Sequence, residues 1–409
     1  MTGNGPLYCP MRTICWRTVL GSCLGRRRVP DWSQLQGTQV IPLYQGRAGL
    51  WILCELWRVR PGDEVLMPAY NCGTEVDPFH AYGARVVFYR VDEEARIDYD
   101  DLKRRCSSAT RIVYVTHYFG WPHRVTSIYR WCRERGIKVV EDCALSLFSI
   151  GEEGPLGTLA DASLFSFKKT LSVPDGAVLV LRDRSESFPQ EDLREPPWGV
   201  TVRNLRPFVK STLLEAVSRA GVYSRWQKRR MNSFDLPAAV KSVRPERPEM
   251  PSSYYFDRRV RDWTMSAVTA GILSRVDASQ TVDRRRRNYR LLLERVRASV
   301  PQARPLFKTL PDGVCPLGLV LLAPYRSVVV KALNACGVAA FPWWEGYHRD
   351  FDWSDFSESR YLKDHALLLP IAQTMDERHM VYISECLERV GDLLGEEQEP
   401  VCGEVARHE

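Results

Sequence analysis

An acidic pair follows a short apolar run in the first half of the chain. Lys138–Val140 predicts a buried strand, and Glu141 and Asp142 come directly after it. An ionised carboxylate in such a place is costly unless a cationic group meets it. One suitable cation is the protonated ring nitrogen of pyridoxal phosphate (PLP), because holding that proton makes the ring an electron sink. The alternative is a helix N-cap, a position that favours aspartate.

A pair of lysines forms the second candidate group. Lys168 and Lys169 follow the predicted strand Ala162–Phe167. A lysine just beyond a buried strand can be desolvated, which lowers its pKa and makes the amine available for a Schiff base. Ser166 and Lys169 are spaced i, i+3, so the hydroxyl could hold a phosphate oxygen while the amine reaches an aldehyde. Two lysines at a strand end are also typical of a solvated turn, and this alternative stays open.

Two further segments have weaker signals. Gly46, Arg47 and Ala48 open a predicted helix, where small residues let backbone N–H groups approach an anion and the helix dipole favours negative charge. Arg47 would add a charge-assisted contact. His117 ends another predicted strand and begins a turn rich in aromatic residues, although a lone histidine there is more often structural.

The elements that must position these residues alternate in type between about residues 44 and 185. The predicted strands are Val65–Tyr70, Arg85–Val91, Arg111–Tyr118, Lys138–Ala144, Ala162–Phe167 and Ala177–Leu181, and the helices between them include Gly49–Trp57, Glu75–Tyr82 and Val125–Arg135. Strands separated by helices predict a largely parallel sheet that is covered on both faces. Such sheets bind ligands beyond the carboxyl ends of their strands, which is where the candidate residues lie.

The pattern changes after residue 181. The later predicted elements are a basic amphipathic helix over about Pro207–Met231, helices at Met265–Asp277, Asp283–Val300, Tyr325–Cys336 and Asp376–Leu394, and a strand at Leu319–Ala323. We therefore predict an N-terminal extension over residues 1–40 and a large α/β domain over 41–250 with a basic helical insertion at about 200–240. Residues 251–400 would hold linking helices and a smaller α+β domain.

Composition excludes several classes of protein. The 409 residues are 44% hydrophobic and 26% charged, which argues against disorder, collagen and coiled coil. The net charge is +7, and the basic runs Arg26–Arg28 and Arg284–Arg287 lack the interleaved aromatics of a nucleic-acid site. The 12 cysteines include no CxxC pair, so no metal site is predicted. The chain has neither an apolar run of membrane-spanning length nor a convincing signal peptide, so no membrane partner and a cytoplasmic location are expected.

Taken together, in this order and spacing, the motifs resemble the DegT/DnrJ/StrS family of PLP-dependent sugar aminotransferases. Gly46–Leu50 resembles the family's phosphate turn, and Pro61–Val65 its PGDEV segment. Thr116–Pro122 is similar to its VHxxGxP turn, Glu141–Ala144 to its ED[AC]A strand end, and Leu156–Phe167 to its approach to the cofactor lysine. The likeness is continuous from about 41 to 185 and patchy from 300 to 390.

The resemblance implies a type I PLP-dependent transferase fold. In it, a large domain around a mostly parallel seven-stranded sheet is joined to a small α+β C-terminal domain, and two copies form a homodimer. By position, Asp142 would bind the pyridinium nitrogen, and Lys169, or Lys168 as the second choice, would form the internal aldimine. The predicted cofactor-binding residues are Gly46, Arg47, Ala48, Tyr70, His117, Asp142, Ser146, Ser166 and Lys169.

The activity implied by the resemblance is transfer of an amino group from an amino acid, such as glutamate, to a nucleotide-linked keto-sugar. Three departures from the family pattern are present. The spacing from Ser166 to the lysine is shorter than in the family. Leu145 stands where the family has a glutamine that contacts the ring hydroxyl, and Ser146 could make that contact instead. A glycine pair of the family is reduced to Gly176. Another PLP reaction such as sugar dehydration, or a non-catalytic binding or subunit role, therefore stays open.

Overall fold

A computed structural model describes residues 7–10, 29–219 and 248–395 of the chain. The basic run Arg26–Arg28, most of the predicted N-terminal extension and the second half of the predicted basic helix lie outside these residues. The part of the predicted insertion that follows residue 219 also lies outside them.

The described residues contain two main sheets and the helices that cover them. In chain order the strands are β1 (Gln39–Leu43), β2 (Glu64–Pro68), β3 (Arg85–Tyr89), β4 (Thr110–Thr116), β5 (Lys138–Asp142), β6 (Ile150–Gly151), β7 (Gly154–Pro155), β8 (Ala162–Ser166), β9 (Ala177–Leu181), β10 (Arg304–Pro305), β11 (Leu319–Leu322), β12 (Phe341–Pro342) and β13 (Ala366–Leu369). The α-helices are α1 (Gly46–Leu56), α2 (Val76–Tyr82), α3 (Tyr99–Arg105), α4 (Thr126–Arg133), α5 (Phe167–Thr170), α6 (Trp198–Arg219), α7 (Ala267–Leu273), α8 (Ala278–Ser299), α9 (Arg326–Ala335), α10 (Ser357–His365) and α11 (Glu377–Glu388).

The larger sheet has seven strands in the order β1-β9-β8-β5-β4-β2-β3. Strand β9 runs antiparallel to both its neighbours, and the remaining pairs are parallel. Strands β2, β8 and β9 are buried along their whole length, as expected for a sheet with helices on both faces. The mostly parallel seven-stranded sheet is therefore confirmed.

Strand β1 is absent from the sequence prediction. It has only five residues and contains Pro42, which argues against a strand in a local reading. The sheet order places β1 at one end, and proline is tolerated in edge strands because no neighbour needs its missing N–H. Its position in the sheet therefore explains why this segment is a strand although its composition does not predict one.

The smaller sheet has four strands in the order β10-β11-β13-β12, all antiparallel. Helices α8, α9 and α11 contribute Leu292, Leu333 and Ile383 to the apolar cluster that covers it. These elements agree with the small α+β domain expected from the sequence, although the domain boundaries stay predictions.

Helix α6 corrects the predicted start of the basic helix. Proline favours the first turn of a helix, so Pro207 was a natural place to begin it. The observed helix already begins at Trp198 and runs through Pro207. Among the helices of the described residues, none combines the length and the apolar character needed to span a bilayer.

The register of the central strands brings the candidate residues to one edge of the sheet. Ala177 of β9 pairs with Leu43 of β1 on one side and with Ser166 of β8 on the other. The turns that follow Leu43 and Ser166 are therefore level and about 10 Å apart, two strand spacings across the sheet. Asp142 pairs with Thr116 of β4 and Leu164 of β8, which places it in the next position along this edge.

Candidate active site

The acidic pair at the end of β5 divides into two different environments. Successive residues of a strand point to opposite faces, so Glu141 and Asp142 do not share a site. Glu141 accepts hydrogen bonds from the N–H groups of Gly157 (3.0 Å), Leu159 (2.9 Å) and Ala160 (2.8 Å). Although burial raises its pKa, these bonds and His117 hold the pKa of Glu141 below its ordinary value. Glu141 is therefore a structural carboxylate that fixes the loop before β8.

His117 is hydrogen-bonded to Glu141, and its predicted place beside a cofactor stays a prediction. Its Nε2 lies 3.1 Å from Glu141 Oε2, and its Nδ1 accepts the N–H of His123 at 3.0 Å. An accepting Nδ1 leaves the proton of the neutral ring on Nε2, where it is donated to the carboxylate. Both nitrogens of this fully buried ring are therefore used within the protein.

Ser146 is used in the same way. Its hydroxyl donates to the carbonyl of His117 at 2.7 Å, and the side chain is fully buried. Leu145 next to it is 2% exposed and packs in an apolar cluster. Ser146 therefore ties β4 to the turn after β5, and its role in place of the missing glutamine stays a prediction.

Asp142 faces the other side and keeps an unusual electrostatic environment. Its Oδ1 accepts the N–H of Ala144 at 2.8 Å. Burial, and after it the nearby charge of Glu75, raise the pKa of Asp142 to about 6, while Ala144, Tyr114 and Lys169 act in the opposite direction. No basic side chain among the described residues lies within ion-pair distance of this carboxylate. Asp142 is therefore a buried acid that a cation would stabilise in its ionised form.

Glu75 is a site residue that the sequence analysis missed. It precedes α2 and is 8% exposed. Its Oε1 accepts the N–H of Cys72 at 3.1 Å, and its Oε2 accepts the Cys72 thiol at 2.7 Å. Burial and Glu75 together raise the pKa of Cys72 to about 12, so the thiol stays protonated. No local pattern marks Glu75, since glutamate before a helix is common.

The two candidate lysines differ in their surroundings. Lys169 is half-buried, its Nζ lies 5.2 Å from the centre of the Trp343 ring, and its charge lowers the pKa of both Asp142 and Cys72. Lys168 is exposed, and its charge acts on Asp175 instead. The charge of Lys169 therefore acts on Asp142, and that of Lys168 acts on Asp175.

The start of α1 differs in part from the predicted phosphate turn. A Cβ at Gly49 would lie 2.9 Å from Leu164 Cδ1, so this glycine lets the helix pack closely on β8. The N–H of Ala48 is bonded to the carbonyl of Gln45 at 3.2 Å, which leaves Gly46 and Arg47 to offer N–H groups to a ligand. Ser166, two strands away, is 7% exposed and makes no capping bond to α5.

The Arg47 guanidinium has hydrogen-bond acceptors within the protein. Its Nη1 donates to the carbonyl of Tyr255 at 3.0 Å and also to that of Tyr254, and its Nη2 donates to Gln45 Oε1 at 3.0 Å. These bonds involve Nη1 and Nη2, and the side-chain contact to phosphate expected from the sequence stays a prediction.

Tyr70 lies in a loop whose backbone carbonyl groups accept hydrogen bonds from side chains far away in the sequence. Trp353 Nε1 donates to Ala69 at 2.7 Å, the Tyr118 hydroxyl donates to Tyr70 at 2.8 Å, and Lys363 Nζ donates to Asn71 at 2.7 Å. Tyr70 is fully buried, and its ring lies 4.9 Å from that of Trp344. Residues from the last third of the chain thus fix the loop that follows β2.

Lys363 is a second residue that the sequence did not reveal. It lies on α10, is fully buried, and sits 4.7 Å from the Tyr347 ring centre and 5.2 Å from that of Trp353. Burial lowers its pKa to about 8, although Cys72 and Glu75 oppose the shift.

The arrangement of these elements defines the class of fold. The chain matches the crystal structure of the aminotransferase TlmJ from Streptoalloteichus hindustanus with a TM-score of 0.62, at 20% identity over 96% of this chain and 98% of TlmJ. It matches Helicobacter pylori PseC, an aminotransferase involved in the biosynthesis of pseudoaminic acid, with a TM-score of 0.64, at 13% identity over 94% of this chain and 99% of PseC. The fold is that of type I PLP-dependent transferases.

Sequence comparison then finds similarity to one family over part of the chain. Residues 35–195 match the DegT/DnrJ/EryC1/StrS aminotransferase family, which confirms the resemblance over that segment. A dTDP-4-dehydro-2,3,6-trideoxy-D-glucose 4-aminotransferase of Saccharopolyspora spinosa is 33% identical over 148 residues, or 36% of this chain and 38% of that protein. GDP-perosamine synthase of Vibrio cholerae is 28% identical over 168 residues, or 40% of this chain and 46% of that protein. The chain thus matches less than half the length of these curated relatives.

Proposed function

We propose that the protein is a PLP-dependent aminotransferase that moves an amino group from an amino acid to a nucleotide-linked keto-sugar. The observation that carries the proposal is that a buried acid, Asp142, and a half-buried amine, Lys169, follow neighbouring strands at the carboxyl edge of the large sheet. The similarity to sugar aminotransferases supports the same activity.

The donor set of the site fits this cofactor. Asp142 is a buried carboxyl group that no basic side chain of the described residues pairs with, and a protonated pyridine nitrogen is the cation that it lacks. The N–H groups of Gly46 and Arg47 at the start of α1, and the Ser166 hydroxyl, are suited to phosphate oxygens. When bound, the cofactor supplies an electron sink for the carbon that loses or gains the amino group.

The roles of the side chains follow from their surroundings. Asp142 would hold the proton of the ring nitrogen, since a cation beside the carboxylate would lower its raised pKa and keep it ionised. Lys169 would hold the cofactor through its amine and would be the group that carries a proton at the reacting carbon. Trp343 covers Lys169 and limits the access of water to its Nζ.

The proposal is tested by the visible absorbance of the purified protein with added PLP. After removal of unbound PLP, we expect the wild type and Lys168→Ala to keep the visible absorbance of a lysine-bound cofactor, and Lys169→Ala to lack it. Lys168→Ala is the matched control because it removes the neighbouring, exposed lysine. A wild type that takes up no PLP, or a band that depends on Lys168 instead, would contradict the assignment.

The amino donor and acceptor require product analysis. Incubation of the PLP-loaded protein with glutamate and a nucleotide-linked 4-keto-sugar should yield the amino sugar and 2-oxoglutarate together. We also propose that the protein is a homodimer, as the resemblance implies, and light scattering on the purified protein would measure its mass.

A second candidate function is a PLP-fold protein without transamination. Leu145 favours it, because an apolar, buried side chain occupies the position of the glutamine that contacts the ring hydroxyl in the family. PLP uptake without formation of 2-oxoglutarate would support this candidate.

A further inference from the structure

Helix α6 carries a ridge of apolar side chains on its surface. Seven large apolar side chains of the described residues are exposed, and four of them lie on this helix: Trp198, Val202, Leu213 and Val217. Trp198 is 63% exposed and Leu213 is 58% exposed. The spacings of 4, 11 and 4 residues place the four on one side of α6, because one helical turn takes 3.6 residues. These four side chains are called the α6 ridge below.

The opposite side of α6 packs against the protein. Four of its side chains are buried: Thr201, Phe208, Ser211 and Ser218. The Ser218 hydroxyl accepts the N–H of Tyr8 at 3.0 Å, and Asn204 Nδ2 donates to the Tyr44 hydroxyl at 2.8 Å. These contacts fix the rotation of the helix about its axis, so the α6 ridge faces the solvent.

Basic side chains adjoin the α6 ridge. Arg203, Arg206 and Lys210 are exposed on the same half of the helix. The acidic residue of α6, Glu215, is half-buried and lies four residues after the buried Ser211, so it shares the packed side. Among the α6 side chains that the structure describes, the exposed ones therefore combine apolar and basic groups and include no carboxylate.

The surface of an anionic membrane matches this face of the helix. A helix that binds in the interface of a bilayer buries an apolar side among the lipid head groups, while Lys and Arg beside it meet the phosphates. Trp198 suits this position, since tryptophan favours the boundary between lipid and water. A second copy of the chain fits less well, because a two-fold contact through the α6 ridge brings like charges together.

The sequence after α6 has the same composition. Residues 220–231 contain no Asp or Glu and hold six basic or aromatic side chains: Tyr223, Arg225, Trp226, Lys228, Arg229 and Arg230. Each basic residue near an anionic surface strengthens the attraction to it. By composition alone, this segment therefore adds to the positive charge that α6 presents.

We propose that α6 docks the protein on a membrane surface that contains anionic phospholipids, with the α6 ridge inserted among the head groups. The expectation of no membrane partner came from the lack of a segment that could span a bilayer. A helix that lies in the interface has no such length requirement. The docking is independent of the proposed function, since neither PLP nor the residues assigned to it take part.

Co-sedimentation of the full chain with lipid vesicles tests this proposal. We expect the wild type to bind vesicles of phosphatidylcholine with about one third phosphatidylglycerol at least about tenfold more tightly than vesicles of phosphatidylcholine alone. Leu213→Asp should weaken binding to the anionic vesicles at least about tenfold, because burial of one leucine has this magnitude. The double variant Arg206→Gln, Lys210→Gln should weaken it by about 30-fold at low salt.

Matched controls carry the same changes elsewhere on the surface. Ile150→Asp alters an exposed apolar side chain of β6, and Lys103→Gln with Lys331→Gln removes the same charge from exposed positions of α3 and α9. Both controls should bind the anionic vesicles as the wild type does.

Several outcomes would overturn the proposal. A wild type that does not distinguish the two kinds of vesicle, binding that survives Leu213→Asp, or a loss that the controls share would each contradict it. Light scattering without vesicles tests the alternative occupant. If Leu213→Asp halves the mass in solution, the α6 ridge pairs two copies of the chain and membrane docking is the wrong assignment.

Discussion

Replacing Asp142 by asparagine should stabilise the cofactor-free protein and abolish its response to PLP. Asparagine has nearly the same shape and retains an oxygen for the N–H of Ala144. It carries no charge, so it avoids the cost of an ionised carboxylate beside Glu75 in a buried site. The substitution thus separates two effects of the carboxylate on the free energy of unfolding: destabilisation of the cofactor-free protein, and stabilisation when a cation is bound.

The expected magnitude follows from the pKa of Asp142. Burial, with Glu75, raises it from 3.8 to about 6. A carboxyl group whose pKa is raised on folding binds more protons in the folded state between these two values, so wild-type stability falls as the pH rises through this window. Each pKa unit corresponds to about 1.4 kcal/mol, so the loss is complete at neutral pH and amounts to about 3 kcal/mol. At pH 4 the loss of wild-type stability is only about 0.5 kcal/mol.

Urea denaturation of cofactor-free wild type and Asp142→Asn at pH 4 and pH 7 measures the effect. The variant should exceed the wild type by about 3 kcal/mol at pH 7 and by about 0.5 kcal/mol at pH 4. Added PLP should raise the stability of the wild type but not that of the variant. A variant that is less stable than the wild type, or equally affected at both pH values, would refute the reasoning.

The control for these measurements is Asp352→Asn. Hydrogen bonds from Ser354, before any other cause, lower the pKa of Asp352. Its carboxylate therefore contributes stability above its unfolded pKa and loses it in acid, which is the opposite sign. Asp352→Asn should be the less stable variant at pH 7 and approach the wild type at low pH.

Two further predictions concern buried ionisable groups. Glu141→Gln should destabilise the protein by about 2–4 kcal/mol in urea at pH 7, because its amide would face one of the N–H groups that the carboxylate accepts. The deficit should shrink in acid, since Glu141 has a lowered pKa and loses its contribution there. For Lys363, burial lowers the pKa from 10.5 to about 8, so wild-type stability should rise by about 3 kcal/mol between pH 7 and 10.5. Lys363→Met should lack this rise, and a rise of equal size in both proteins would contradict the assigned cause.

The sequence was sufficient for the architecture because its periodicity was regular in the first half. Buried parallel strands read as continuous apolar runs, and Ala177–Leu181 was predicted with its observed bounds. Helix ends were less predictable, as the start of α6 at Trp198 shows. A helix end depends on capping and on tertiary contacts, which residue type alone does not specify.

The acidic pair shows that neighbouring residues of one motif can have different roles. Glu141 and Asp142 are neighbours in the sequence, yet strand alternation gives the first to the protein's own N–H groups and the second to the site. His117 and Ser146 follow Glu141, since their hydrogen bonds join the ends of β4 and β5. A motif shows only that residues occur together, and here Glu141 stabilises the fold while Asp142 lies in the candidate site.

The loop around Tyr70 shows why the rest of the site could not be found locally. Its position depends on backbone carbonyl groups, which every residue carries and no sequence pattern marks. The donors that hold it, Trp353 and Lys363, lie far along the chain and come close only when the small sheet packs beside the large one. Each of these bonds contributes about 0.5–1.5 kcal/mol net, so the loop and the small sheet resist separation as a unit.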